Sequence, residues 1–250
     1  MSDYRFISPN DCRRRASYCA AAVLLACLSG CGLVAHGQNA EGVRLYQQGS
    51  FPQAIERFQK AIASDPQNAD GYYNLAATYH LIGRQTKNEQ DLKQAEDLYN
   101  QCLDRDTNNN HRECYRGLAV LLNEEGRTDE AFRLLEGWAN KKPSAAAPKV
   151  ELARLSEETG KYKNAEDYLQ EALTVDPHDS RAWAALGRLR ERSGDPNQAL
   201  ANYQRSLGLN RFQPGVAAKV ASLRSDLNPA SLSTNGGTRM VNGNPAGSRY

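Results

Sequence analysis

Residues 54–62 read AIERFQKAI, and residues 165–173 read AEDYLQEAL. Each run opens on alanine, carries a large apolar side chain four positions on (Phe58, Leu169), and returns to alanine at Ala61 and Ala172. Positions i, i+4 and i+7 share one face of an α-helix, so each run predicts an amphipathic helix with small residues on its buried stripe. Ala54, Ala95, Ala131, Ala165 and Ala199 all begin such runs, and the last three are 34 residues apart. Gly49, Gly126, Gly160 and Gly194 stand five residues before four of them; Pro66, Pro143 and Pro177 stand twelve residues after three. A glycine ends a helix in a left-handed cap, and a proline stops the next helix by removing a donor. A second periodic segment precedes each run. Tyr72, Leu75, Ala76 and Tyr79 correspond to Tyr115, Leu118, Ala119 and Leu122, then to Trp183, Leu186, Gly187 and Arg190. The chain therefore reads as helical hairpins repeated in register.

Over roughly residues 40–211 this pattern resembles the tetratricopeptide repeat. The resemblance implies an all-α solenoid, a right-handed superhelix of about five helix-turn-helix units. Ala76, Ala119, Ala153 and Gly187 on first helices, with Ala54, Ala61, Ala165 and Ala172 on second helices, then sit where axes cross at about 8–10 Å. Phe58, Leu75, Tyr99, Leu118, Leu135, Leu169, Leu186 and Tyr203 fill the spaces between. Terminal repeats need covering. The segment from Pro214, with Val216, Val220, Leu223 and Leu227 on one face, is expected to be a C-terminal capping helix that closes the repeat region, 40–227. The first helix, around Ala40–Gln48, is short and weakly patterned.

The departures are local. The polar residues 84–90 are an insertion between Gly83 and Ala95, expected to extend the second helix or lengthen the turn. Thr107 takes a proline position. Trp138 stands where the family prefers alanine and Lys149 where it prefers an aromatic, so Trp138 is expected to fill the space left at residue 149.

The N-terminus reads as an address. Arg13–Arg15 precede an apolar run from Cys19 to Leu28, the layout of a secretory signal and too short to span a bilayer. Leu28-Ser29-Gly30-Cys31 resembles a bacterial lipobox, which implies a signal peptide at 1–30 and acylation of Cys31. Cys27 fits less well, because Leu25 stands where a small residue is preferred. Gly32 after the cysteine, by the same resemblance, favours the outer membrane over retention by an aspartate. Residues 31–39 would be a membrane tether of at most about 30 Å. Several acyl chains, each buried methylene adding about 0.8 kcal/mol, would make the anchor permanent. Residues 228–250, rich in Asn, Gly, Ser and Pro, read as a disordered tail.

The net charge is +2, and Arg5 and Arg13–Arg15 outnumber Asp3 and Asp11 in the signal, so the remaining chain is balanced. That excludes the charge excess of a nucleic-acid binder. No His-Glu-x-x-His pair, Gly-x-Ser-x-Gly elbow, P-loop or Gly-x-Gly-x-x-Gly occurs, so no enzyme, cofactor or small-molecule substrate is expected. Glu124-Glu125 and Glu157-Glu158 read as solvated helix ends. Cys102 and Cys114 lie late on one helix and early on the next; they form either a disulfide, which an exporting route would permit, or two separate buried thiols. Zinc at Cys102, His111 and Cys114 lacks a fourth ligand, so no metal is expected.

In the family, first helices line a concave groove. By register the resemblance points to Tyr73, Ala77 and His80, then Arg116, Val120 and Asn123, then Glu151, Arg154 and Glu157, then Ala184, Arg188 and Glu191. The carboxylate clamp of chaperone-tail-binding members is absent, because Tyr73, Ala77, Gly117, Ala147 and Glu151 occupy its positions. The expected role is a membrane-anchored scaffold of the bacterial envelope that binds a protein or peptide partner. A pilotin-like lipoprotein assisting secretin or type IV pilus assembly shares the same layout.

Overall fold

The computed structural model describes residues 32–106, 108 and 111–227. The signal segment, Cys31, Thr107 and the tail 228–250 lie outside the described residues. The fold is all-α. It divides into two compact units, Met1–Pro143 and Ser144–Tyr250.

In the N-terminal unit α1 (residues 32–47) is followed by α2 (Phe51–Ser64), α3 (Ala69–Thr86), α4 (Glu89–Arg105), α5 (Arg112–Glu124) and α6 (Thr128–Lys141). The C-terminal unit comprises α7 (Ala146–Glu158), α8 (Tyr162–Val175), α9 (Ser180–Arg192), α10 (Pro196–Leu209) and α11 (Pro214–Leu227). Consecutive helices pair as hairpins: α3 with α4, α5 with α6, α7 with α8, α9 with α10. The alanines that open the repeat, Ala54, Ala95, Ala131, Ala165 and Ala199, are all completely buried. Where glycine replaces alanine at a crossing, an aromatic takes the vacated space. A Cβ on Gly42 would lie 2.5 Å from the Phe58 ring, and one on Gly187 would lie 2.6 Å from that of Tyr203.

Four hairpin turns close alike. Gly49, Gly126, Gly160 and Gly194 have φ of 76–79°. The following N–H donates to the carbonyl five residues back, as Ser50 does to Leu45 at 2.9 Å and Arg127 to Leu122 at 2.8 Å. This is the six-to-one bond of a Schellman motif. The insertion keeps that turn and moves it. Lys87 takes the left-handed conformation at φ 56°, and Asn88 N–H donates to Gly83 at 2.9 Å. Residues 84–90 thus lengthen both helices of the hairpin, to 18 and 17 residues against 13–14 in the hairpins after it. Seven residues are close to two helical turns, one for each helix, so the faces downstream stay in phase. Gly83 is not a cap: it lies inside α3, and a Cβ there would be 2.9 Å from the Leu92 backbone nitrogen.

One further difference from the sequence reading concerns the start of α1. The segment expected to be a tether is helical from residue 32, with Ala35 and Leu45 buried against the unit. Arg57 and Asn74 side chains reach back to Gln38 at 3.1 Å and Asn39 at 2.9 Å. Trp138 is buried and stacks on Tyr115 of its own hairpin, with centroids 4.4 Å apart and planes 3° from parallel. At the C-terminal end, Val220 and Leu223 of α11 bury against Ala199 and Tyr203, while Leu227 stays exposed.

Candidate functional site

The N-terminal unit has a concave pocket of ≈ 470 Å³ on its first-helix face. Tyr46 comes from α1; Tyr73, Ala77, His80 and Arg84 come from α3; Arg116, Gly117 and Val120 come from α5. Tyr99, on the second helix α4, reaches through to line it as well. It does so because residue 117 is glycine: a Cβ there would lie 2.5 Å from Tyr99 Cε1. Tyr73 and His80 flank the Tyr99 ring with centroids 6.2 and 6.1 Å away. Burial holds the Tyr99 phenol well above its ordinary pKa range, so it stays neutral.

The polar groups of this wall are fixed. His80 Nε2 bonds Glu124 Oε2 at 3.0 Å, and the Tyr99 hydroxyl lies 3.5 Å from His80 Nδ1. Arg84 holds the other oxygen of Glu124 at 3.0 Å. Glu124 is therefore a brace from α5 to α3 and not merely a solvated helix end. The pocket presents a preorganised aromatic wall over the apolar side chains of Ala77, Leu81 and Val120, with arginines on its rim. Such a surface suits an apolar or aromatic anchor of a partner, held with little loss of side-chain entropy.

Of the groove residues expected from register, Tyr73, Ala77, His80, Arg116 and Val120 are brought together in this pocket. Asn123 is not among its lining residues; its Oδ1 accepts a hydrogen bond of 2.8 Å from the Thr128 hydroxyl and closes the α5–α6 turn. The C-terminal unit uses its counterparts internally. Arg154, 13% exposed, bonds Glu151 at 2.9 Å and Glu158 at 2.6 Å. Arg188 on α9 bonds Glu157 on α7 at 3.1 Å. Glu191 accepts from Lys219 at 2.7 Å and from the Tyr203 hydroxyl at 2.9 Å; the Lys219 hydrogen bond holds its carboxyl below the usual range. These pairs stitch α7 to α9 and α9 to α11, which makes the pocket of the N-terminal unit the stronger docking candidate. Cys31 lies outside the described residues.

Beside the pocket, Cys102 on α4 and Cys114 on α5 are joined by a disulfide, with Cα atoms 6.3 Å apart and both side chains completely buried. His111, the N-cap of α5, lies next to the bridge and bonds Asp70 Oδ1 at 2.9 Å.

The role of Gly117 gives a direct test. Gly117→Val is expected to displace the Tyr99 ring and cost about 1–3 kcal/mol, as overpacking does. Gly137→Val, where a Cβ meets nothing within 4 Å, serves as the control. Thermal melts of the two variants check this, and equal melting temperatures would exclude the close contact.

Comparison with known proteins agrees with the geometry. A family model described as TPR repeat matches residues 42–83, and one described as tetratricopeptide repeat matches residues 156–223. The type IV pilus assembly protein PilF of Pseudomonas aeruginosa is 27% identical over 183 residues, covering 73% of this chain and 56% of that protein. The Superkiller complex protein 3 of Mus musculus is 25% identical over 227 residues, covering 78% of this chain and 14% of that protein. The chain thus spans little more than half the length of the first of these and a small part of the second. Among solved structures, a thermophilic TPR protein of Thermus thermophilus superposes with a TM-score of 0.57 at 22% identity, covering 76% of this chain and 98% of that one.

Proposed function

Because this chain is a protein of the tetratricopeptide-repeat family, we propose that it is a non-catalytic scaffold whose N-terminal unit docks a protein partner in the pocket walled by Tyr46, Tyr73 and Tyr99. The observation that carries the reading is the opening of that pocket. Gly117 yields its side-chain space to Tyr99, and His80 and Glu124 hold the wall in place. The setting we propose is the bacterial envelope, with the chain anchored through a lipid on Cys31 and facing the periplasm. This rests on the Arg-rich start, the apolar run and the Leu28-Ser29-Gly30-Cys31 motif.

The test is photo-crosslinking in intact cells with a photoreactive residue at Tyr73 or Val120, against one at Lys60, an exposed position of α2 that does not line the pocket. A protein adduct specific to the pocket positions is expected. Equal labelling at Lys60, or none at either pocket position, sinks the reading. For the anchor, Cys31→Ser should abolish incorporation of an alkyne-tagged fatty acid and release the protein from the membrane fraction.

A narrower reading is supported by the likeness to the Pseudomonas aeruginosa pilus assembly protein: a pilotin-like role in secretin or type IV pilus assembly. It predicts loss of the secretin multimer on deletion of the gene. An unchanged multimer would leave only the broader scaffold role.

A further inference from the structure

The Sγ atoms of Cys102 and Cys114 and a ring nitrogen of His111 all lie within 4.8 Å of one another. We propose that when a dithiol reductant opens the Cys102–Cys114 bond, these three side chains form a binding site for a soft monovalent metal ion, Cu(I). The steps balance. The dithiol gives two electrons and two protons to the bridge, leaves as its own disulfide, and yields two thiols. Binding of the ion then displaces both thiol protons to solvent and forms two metal–sulfur bonds and one metal–nitrogen bond.

The geometry needs little rearrangement to accept this ion. Metal–thiolate bonds of about 2.3 Å keep two sulfurs on one ion within about 4.6 Å of each other. The two cysteines, on facing helices with Cα atoms 6.3 Å apart, hold their sulfurs inside that limit and need only separate from bonding distance. His111 is already oriented as a ligand. Its Nε2 bonds Asp70 Oδ1 at 2.9 Å, which puts the proton there. Its Nδ1 accepts the Cys114 backbone N–H at 3.4 Å and lies 3.9 Å from Glu113 Oε2, which places that nitrogen at the start of α5 beside Cys114. Two separate contacts fix the same tautomer. A carboxylate behind a ligating imidazole is the arrangement that orients it and raises its basicity. The 3.4 Å amide contact is long and readily exchanged for a metal.

The donor set selects the ion. Structural zinc completes four ligands, and the described residues offer three at this point. Two thiolates with one imidazole, the sulfurs fully buried, make a soft site of low coordination number, which favours Cu(I) over harder ions. His111, 15% exposed at its side chain, is the member through which the ion enters. The link from α4 to α5 is thereby kept in both redox states, as a sulfur–sulfur bond or as a metal bridge.

The test uses the full chain with Cys12→Ser, Cys19→Ser, Cys27→Ser and Cys31→Ser, so that only Cys102 and Cys114 remain. Oxidised and dithiothreitol-reduced samples, desalted without oxygen, are titrated with Cu(I) against a chromophoric chelator. The expected result is one equivalent bound by the reduced protein and none by the oxidised protein. Asp70→Asn should weaken binding by about 10–100-fold, the usual effect of losing an outer carboxylate. His111→Asn, which keeps an N-cap acceptor and hence the helix start, should weaken it at least as much. Binding by the oxidised protein equal to that of the reduced one, no binding by the reduced protein, or wild-type affinity in His111→Asn each overturns the proposal. The oxidised and reduced samples are the same protein with no substitution among the described residues, so an unfolded variant cannot obscure the outcome of that comparison.

Discussion

Trp138→Ala is expected to lower stability by about 3–5 kcal/mol, the range for truncating a large buried aromatic. Trp138 stands where the repeat uses alanine, and the hairpin has been rebuilt around it: it is 2% exposed and lies flat on Tyr115. Restoring the small residue therefore empties a space instead of repairing a consensus. Tyr115, its stacking partner, sits on a helix of the same hairpin and can collapse into the space only in part. Trp138→Phe should recover most of the loss. Urea unfolding of purified protein measures both, and a loss under about 1 kcal/mol for the alanine variant would show that the stack carries little.

The second large effect is at the bridge. Cys102→Ser with Cys114→Ser should cost about 3 kcal/mol, from the chain entropy of closing a loop over a separation of 12 residues. The buried serine hydroxyls add the penalty of finding partners where sulfur needed none. Reduction of the wild type without metal should shift the urea midpoint in the same direction. Identical midpoints for oxidised, reduced and doubly substituted protein would mean that the helices are held there by packing alone.

What the sequence made legible was the crossing geometry. Ala54, Ala131, Ala165 and Ala199 recur at one register because two helix axes cannot approach closely over anything larger, and all four are buried as that argument requires. The same logic read Gly49, Gly126, Gly160 and Gly194 as left-handed caps. It failed where another residue took the role. Lys87 supplies the left-handed turn of the lengthened hairpin, and no pattern in residues 84–90 marks it out. The start of α1 was illegible for a related reason. Ahead of Leu45 its buried residues are Ala35 and Gly42, and such small residues carry almost no hydrophobic periodicity.

For the candidate site, register placed Tyr73, His80 and Arg116 on one face. It could not show that Tyr99 joins them from the opposite helix, because that depends on the absence of a side chain at Gly117. Nor could it separate pocket residues from bracing ones. Arg154 and Arg188 occupy equivalent positions, and their acidic neighbours commit them to structure, Glu151 and Glu158 on Arg154's own helix and Glu157 across from Arg188.

The helical start at residue 32 changes the mechanics of the proposed anchor. A flexible leash would let the pocket sample every orientation above the bilayer. A helix rising about 1.5 Å per residue from the position next to Cys31 acts instead as a mast, packed along the unit it carries. Leu33 and Val34, exposed at its foot, would give it two apolar side chains beside a lipid on Cys31. With such an anchor, the bearing of the pocket would be set by helical phase, about 100° per residue, so the distance from lipid to first packed residue would work as a compass setting and not as slack.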